Sequence, residues 1–270
     1  MKEIVHQTRK RVQEMHPLIH CITNPISINQ CANAVLAVGA RPMMAEHPKE
    51  VREITRTADA LVLNLGNITD ARKKSMLRAA RVATKGQIPF LVDLVGIACN
   101  QKRRRYARRM LKTAKPAIIK GNYSEIKALY DAGYHSDGVD ADQSLTAEDL
   151  CRLALQLAKH YGAVILASGK VDIVTDGKQV IRIKNGTPQL TTLTGTGCML
   201  GMLCGCYLSV APSLDAAVTA CTVLGIAGEL AETQAGSGSF SVELMNHVST
   251  LTEQEVAQNL NMEVDQIETA

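Results

Sequence analysis

Short apolar runs that end on polar residues or glycine punctuate this chain, and they restrict its fold more than any other feature. "LIHCIT" (Leu18–Thr23), "ALVLNLG" (Ala60–Gly66), "PFLVDLVG" (Pro89–Gly96), "AIIKGN" (Ala117–Asn122) and "AVILASG" (Ala163–Gly169) are each too short for a buried helix. Segments with helical periodicity lie between them, at Asn29–Val38, Asp70–Lys85, Arg103–Thr113, Ser124–Tyr130 and Thr146–His160. That alternation predicts βαβ units and an α/β fold with a central, mainly parallel sheet flanked by helices. "VDIVTDGKQVIRIK" (Val171–Lys184) differs: two alternating runs around Asp176-Gly177 predict a β-hairpin. After Gly197 the chain reads as nearly all helical. No repeat or long linker divides it, so residues 1–270 read as a single domain, with Asp131–Ser144 as a loop.

Ligands of open α/β sheets gather at the carboxyl ends of the strands. The residues that end the apolar runs are Thr23 and Asn24, Asn64, Asp93, Lys120 and Asn122, and Ser168. Any one of them can be an ordinary turn former; five run ends converging on one rim point to a site.

Composition excludes several other classes. A net charge of +4 is modest for a nucleic-acid binder. The one dense basic run, "KRRRYARRMLK" (Lys102–Lys112), reads as a helix with a solvated face near a phosphate-rich ligand. The eight cysteines are scattered without C-x-x-C spacing, which argues against zinc and for free thiols in a reducing cytoplasm. The N-terminal segment, with Ile4, Val5, Val12 and Met15 among charges, predicts an amphipathic helix rather than a signal peptide. No run of about 18 unbroken apolar residues suggests a membrane span.

The chemistry concentrates around "LTGTGCML" (Leu193–Leu200). Gly195, Thr196 and Gly197 open an apolar helical run, and the first N–H groups of a helix lack internal partners and carry partial positive charge. Flanking glycines let a phosphate come close to those donors. The pattern is not a P-loop. Asp93 and Glu125 provide two carboxylates of the kind that hold magnesium on phosphate oxygens, and Lys120 adds a cation. Glu125 reads equally well as a first-turn glutamate favoured by the helix dipole.

A family resemblance joins these pieces. "HCITNPISINQCANAVLAVGARPMMAEHPKEV" (His20–Val51) resembles the N-terminal signature of hydroxyethylthiazole kinases. The likeness continues through "LVLNLGN" (Leu61–Asn67), "DLVG" (Asp93–Gly96), "IIKGNYSEI" (Ile118–Ile126), "GVDA" (Gly138–Ala141), "SGKVDIVTDG" (Ser168–Gly177), "LTGTGC" (Leu193–Cys198) and "GSGSF" (Gly236–Phe240). It implies a ribokinase-like three-layer fold, a homotrimer with active sites between subunits, and Mg-ATP phosphorylation of 4-methyl-5-(2-hydroxyethyl)thiazole in thiamin salvage. The carried-over roles put Asn24, Met44 and Gly195 at the thiazole and Lys120, Asn122 and Ser168 at ATP. Asp93 and Glu125 fall at magnesium. Cys198 stands where many ribokinase-like relatives carry an aspartate base. A helix N-terminus lowers a thiol's pKa, so Cys198 is expected to be partly ionised and to assist without being essential; simple packing is the plain alternative.

The pattern is broken in places. Leu94, Ala98 and Asn100 replace the usual residues after Asp93, Ser237 stands where proline is common, and Gln30 where an acidic residue is common. These departures leave room for a kinase of another small heterocyclic alcohol, or for a catalytically weak thiazole or nucleotide sensor.

Overall fold

The computed structural model describes residues 1–136 and 146–267. The "GVDA" block at 138–141 lies outside the described residues.

Among the described residues nine strands form one sheet: β1 (Leu18–Ile22), β2 (Arg41–Met43), β3 (Ala60–Asn64), β4 (Phe90–Asp93), β5 (Ile118–Asn122), β6 (Val164–Ser168), β7 (Asp172–Thr175), β8 (Gln179–Ile183) and β9 (Met262–Gln266). Their order is β2-β1-β3-β4-β5-β6-β7-β8-β9. The pairings from β2 to β6 are parallel and those from β6 to β9 antiparallel. All five apolar runs and the hairpin are strands, as expected. Two strands escaped the sequence reading. β2 is three residues long, and β9 breaks the helical tail with only two apolar residues in an exposed edge strand.

Helices α1 (Lys2–Met15), α2 (Ile28–Ala37), α8 (Thr196–Leu208), α9 (Ser213–Leu230), α10 (Ser237–Thr250) and α11 (Glu253–Asn259) cover one face. Helices α3 (Val51–Thr57), α4 (Asp70–Gly86), α5 (Gln101–Thr113), α6 (Tyr123–Tyr130) and α7 (Ala147–Tyr161) cover the other. Strand alternation divides the core accordingly: Val62, Leu91 and Ile118 join the α8 side, whereas Leu63, Val92 and Ile119 join the α4–α5 side. α1 buries Val5 and Val12 as its periodicity predicts, but Met15 stays 63% exposed.

α8 lies tight on the sheet because its glycines face it. A side chain at Gly205 would come within 2.2 Å of Val62 Cγ2, and one at Gly201 within 3.2 Å of Asp93 Oδ2. Among the described residues, α9 alone has the length and mean hydropathy, 1.3, to cross a membrane; 72% of it is buried inside the domain, so it is a core helix.

Candidate active site

The parallel register lines up Asn64 with Asp93 and Asp93 with Lys120 across β3, β4 and β5. Residues two positions apart share a face, so this polar row follows Val62, Leu91 and Ile118 onto the α8 side. All three side chains are buried. Lys120 Nζ pairs with Asp93 Oδ2 at 3.1 Å, and Asn64 Nδ2 donates to the same oxygen at 3.2 Å. Asp93 Oδ1 is buried without a hydrogen-bond partner. Burial pushes the Asp93 carboxyl up, against the pull of the Lys120 ammonium and the Asn64 amide. Burial also works against the charge on Lys120, but Asp93 and then Glu125 outweigh it and raise its pKa. The row is therefore a buried ion pair whose partners depend on each other.

The first turn of α8 sits on this row. Gly195 caps the helix at φ +93°, a left-handed conformation that favours glycine, and a Cβ there would lie 2.6 Å from Ser27 Cβ. Thr196 Oγ1 donates to Leu190 O at 3.0 Å, so its side chain fastens the turn while its backbone N–H heads the helix. A Cβ at Gly197 would come within 3.9 Å of Lys120 Nζ. Cys198 Sγ accepts from Asn64 Nδ2 at 3.2 Å. The expectation that Cys198 is partly ionised is corrected here. Burial, followed by the Asp93 carboxylate, pushes the thiol up from its ordinary value despite hydrogen bonding from Ser27 and Asn64 and the field of Lys120. The helix N-terminus does not overcome that desolvation.

Of the two readings considered from the sequence, the structure shows the helix-terminus role of Glu125. It closes a capping box, with Oε2 accepting from Asn122 N at 2.8 Å and Asn122 Oδ1 accepting from Glu125 N at 2.8 Å. Oε1 accepts from Gly96 N at 2.7 Å, tying the loop after β4 to this helix. Burial, then the Asp93 charge, raises its pKa against those two backbone donors. Asn122 and Ser168 are neighbours across the β5–β6 register, and Ser168 Oγ lies 3.4 Å from Gly121 O.

On the other flank, the amide of Asn24 lies against Gly66, where a Cβ would be 2.8 Å from Asn24 Nδ2 and 2.9 Å from Asn64 Oδ1. Met44 is half-buried on the loop after β2 and packs against the α8-side core. A cavity of about 260 Å³ opens beside the turn, lined by Asn29, Asn33, Leu193, Thr194, Met199 and Met245 among others. A larger groove of about 470 Å³, at Met15, Leu36 and Arg41, lies at the amino ends of the strands, away from this chemistry.

The loop that departs from the family pattern is firmly held. Leu94 is fully buried and its N–H donates to Lys120 O at 2.8 Å, so the strand stays extended past Asp93. Asn100 caps α5 by accepting from Arg103 N at 3.0 Å. The basic run is corrected in part: it is helical, and Lys102, Arg105, Arg109 and Lys112 are exposed, but three of its arginines hold backbone. Arg103 binds Val95 O, Arg104 binds Ile97 O and Ala98 O, and Arg108 binds Leu129 O. Asn64 and Ser27 neighbour Cys198 although no role was assigned to either from the sequence. Asn64 was visible as a run end, whereas Ser27 was only one residue within the N-terminal family block.

With that geometry in view, comparison with known proteins assigns the family. The sequence model of the hydroxyethylthiazole kinase family matches residues 9–254. The chain belongs to this family. It is 43% identical over 252 residues to hydroxyethylthiazole kinase 2 of Clostridium botulinum strain Hall, covering 92% of this chain and 95% of that one. With hydroxyethylthiazole kinase 1 of Methanosphaera stadtmanae it is 38% identical over 265 residues, covering 92% and 93%. A solved hydroxyethylthiazole kinase protein from Pyrococcus horikoshii has TM-score 0.90 at 33% identity, covering 98% of this chain and 100% of that chain. A ribokinase-like superfamily protein from Enterococcus faecalis, 12% identical over 94% of this chain and 95% of its own, shares the fold at TM-score 0.67. The mainly parallel sheet flanked by helices is the one the apolar runs predicted, and the ribokinase-like architecture the one the resemblance implied.

Proposed function

We propose that the protein transfers the terminal phosphoryl group of ATP to the hydroxyl of 4-methyl-5-(2-hydroxyethyl)thiazole, a step of thiamin salvage. The observation that carries this reading is the buried row of Asn64, Asp93 and Lys120 beneath the first turn of α8, in a chain of this family. Phosphoryl transfer asks a protein mainly for positioning and charge neutralisation. Backbone N–H groups at Gly195–Cys198 face the transferred group, and Lys120, Asn122 and Ser168 contact ATP. Asn24, Met44 and Gly195 meet the thiazole, where a methionine offers a polarisable wall to a sulfur heterocycle.

The donor set fits magnesium carried in on phosphate oxygens. Asp93 Oδ1 is buried without a partner, while both Glu125 oxygens already accept backbone N–H groups. Among the described residues no three His, Cys, Asp or Glu side chains cluster as a protein cage. Asp93 and Glu125 would hold the ion. When bound, the ion neutralises phosphate charge. Burial raises the Cys198 thiol's pKa, so only its minor thiolate form takes the alcohol's proton and the contribution is partial. Cys198→Asp retains or raises turnover and Cys198→Ala lowers it only in part.

The homotrimer with intersubunit sites belongs to the same proposal. It rests on the family resemblance. A cytoplasmic setting suits the eight free thiols. The test is ATP-dependent phosphorylation of a panel of small heterocyclic alcohols with and without magnesium, alongside the solution mass. Magnesium-dependent turnover of hydroxyethylthiazole supports the reading; turnover of a different alcohol alone, or binding without turnover, replaces it.

A further inference from the structure

Three loops meet at the first turn of α4, and one buried side chain joins them. Arg72, 3% exposed, reaches Thr23 O at the end of β1 with Nη2, and Gly66 O and Asn67 O, both at 2.8 Å, beyond β3 with Nη1. Its Nε stands 3.1 Å from Glu46 Oε2, a charge contact whose angle falls outside hydrogen-bond geometry. Glu46 lies two residues beyond Met44, and Thr23 immediately precedes Asn24. The same helix face continues the attachment. Ser75 Oγ donates to Glu46 O at 2.7 Å and Arg78 Nη1 to Pro48 O at 2.6 Å, at the i+3 and i+6 positions from Arg72. From the opposite side, His20 Nε2 lies 2.9 Å from Ala45 O.

We propose that Arg72 is a positioning residue that fixes the alcohol side of the site by locking the loops of Asn24, Met44 and Gly66 in one arrangement. This rests on reading Asn24 and Met44 as alcohol-binding residues. A planar guanidinium presents several donors in fixed directions, so one Arg72 orientation satisfies carbonyls from two strand ends while facing the Glu46 carboxylate. A lysine supplies the charge but not the fork. Gly66 makes the arrangement exacting, because its neighbours Asn24 and Asn64 leave no space for a side chain. Lys120, Asn122 and Ser168, by contrast, are not among Arg72's partners. Loss of the clamp therefore loosens the alcohol side and spares ATP.

The experiment compares Arg72→Lys and Arg72→Met with wild type, using whichever panel alcohol the wild type phosphorylates. KM for that alcohol rises about tenfold or more for Arg72→Met, equivalent to losing one charge-assisted hydrogen bond. KM for ATP stays within about twofold, the scale of a site not directly touched. Arg72→Lys recovers only part of the loss. Hydrogen exchange of the full chain quickens together at residues 23–27, 44–48 and 66–68 and not at the start of α8. Equal rises in both KM values, unchanged KM for the alcohol, or exchange spread evenly over the domain overturn the proposal. If Arg72→Met does not fold, Glu46→Gln is decisive, because the Glu46 side chain is 49% exposed and tolerates the change. It raises KM for the alcohol about two- to threefold, as loss of one partly exposed charge contact does; no rise overturns the proposal. A wild type that leaves hydroxyethylthiazole untouched refutes the proposed substrate, while the exchange pattern still decides the clamp.

Discussion

On one face of the sheet the two central helices, α8 and α9, are apolar almost all round, whereas on the other face α4 and α5 each have one buried stripe and one charged side. α8 buries every residue from Cys198 to Leu208, and its glycines bring its backbone onto β3 and β4. α4 and α5 bury Met76, Ala79, Ala80, Ala107, Met110 and Leu111, and place Arg72 and Arg104 inside as well. The two faces therefore contribute to the site by different means. On the proposed reading, the α8 face supplies reactive groups through backbone donors and strand-end side chains, which demands close approach. The other face supplies long arginines that bind carbonyls of the loops around those groups, which demands reach.

The contrast can be broken most severely on the α8 face. Lys120→Met leaves the Asp93 charge buried without its partner, and turnover falls about 100-fold or more, a scale typical of losing one preorganised charge-stabilising group. Steady-state kinetics on folded protein, checked by circular dichroism, reads this directly. Gly205→Ala drives a methyl into Val62 and lowers stability by about 1–3 kcal/mol, measured by urea unfolding. On the arginine face, Arg104→Met removes donors from Ile97 O and Ala98 O. It lowers stability by about 1–2 kcal/mol, and turnover falls less than in Lys120→Met. The smallest effect sharpens the role of contact: Gly238, also helical, has nothing near a built Cβ, so Gly238→Ala stabilises by about 0.5–1 kcal/mol.

Much of the fold was legible because its strands are buried on both faces and read as continuous apolar runs. The strand-end residues were legible for the same reason, since polar groups closing such runs interrupt the pattern. β9 was not, because an exposed edge strand needs few apolar residues, and "MEVDQ" has two. The side-chain commitments were harder. Arg72 and Arg104 sit among other basic residues on helices, and nothing in "DARKKSM" or "KRRRYARRM" separates a buried arginine from a solvated one. Only the positions of the loop carbonyls distinguish them. Cys198 was misread in its ionisation because a helix N-terminus is visible in sequence, whereas burial beside Asp93 is a tertiary fact.

On the proposed reading the carboxylates make activity pH-dependent. Burial raises both Asp93 and Glu125, so in the free enzyme they take up protons above the ordinary carboxylate range, which weakens the proposed magnesium site. The acid limb of the pH–rate profile therefore lies above that range, and activity is lost as pH falls through it.

The central claim is that the row beneath the α8 turn is where the phosphoryl group moves. It is tested most directly by magnesium titrations of hydroxyethylthiazole phosphorylation with wild type and Asp93→Asn. The variant is predicted to fold, to lose turnover about 100-fold or more and to respond more weakly to magnesium. Turnover and a magnesium titration indistinguishable from wild type would contradict the account.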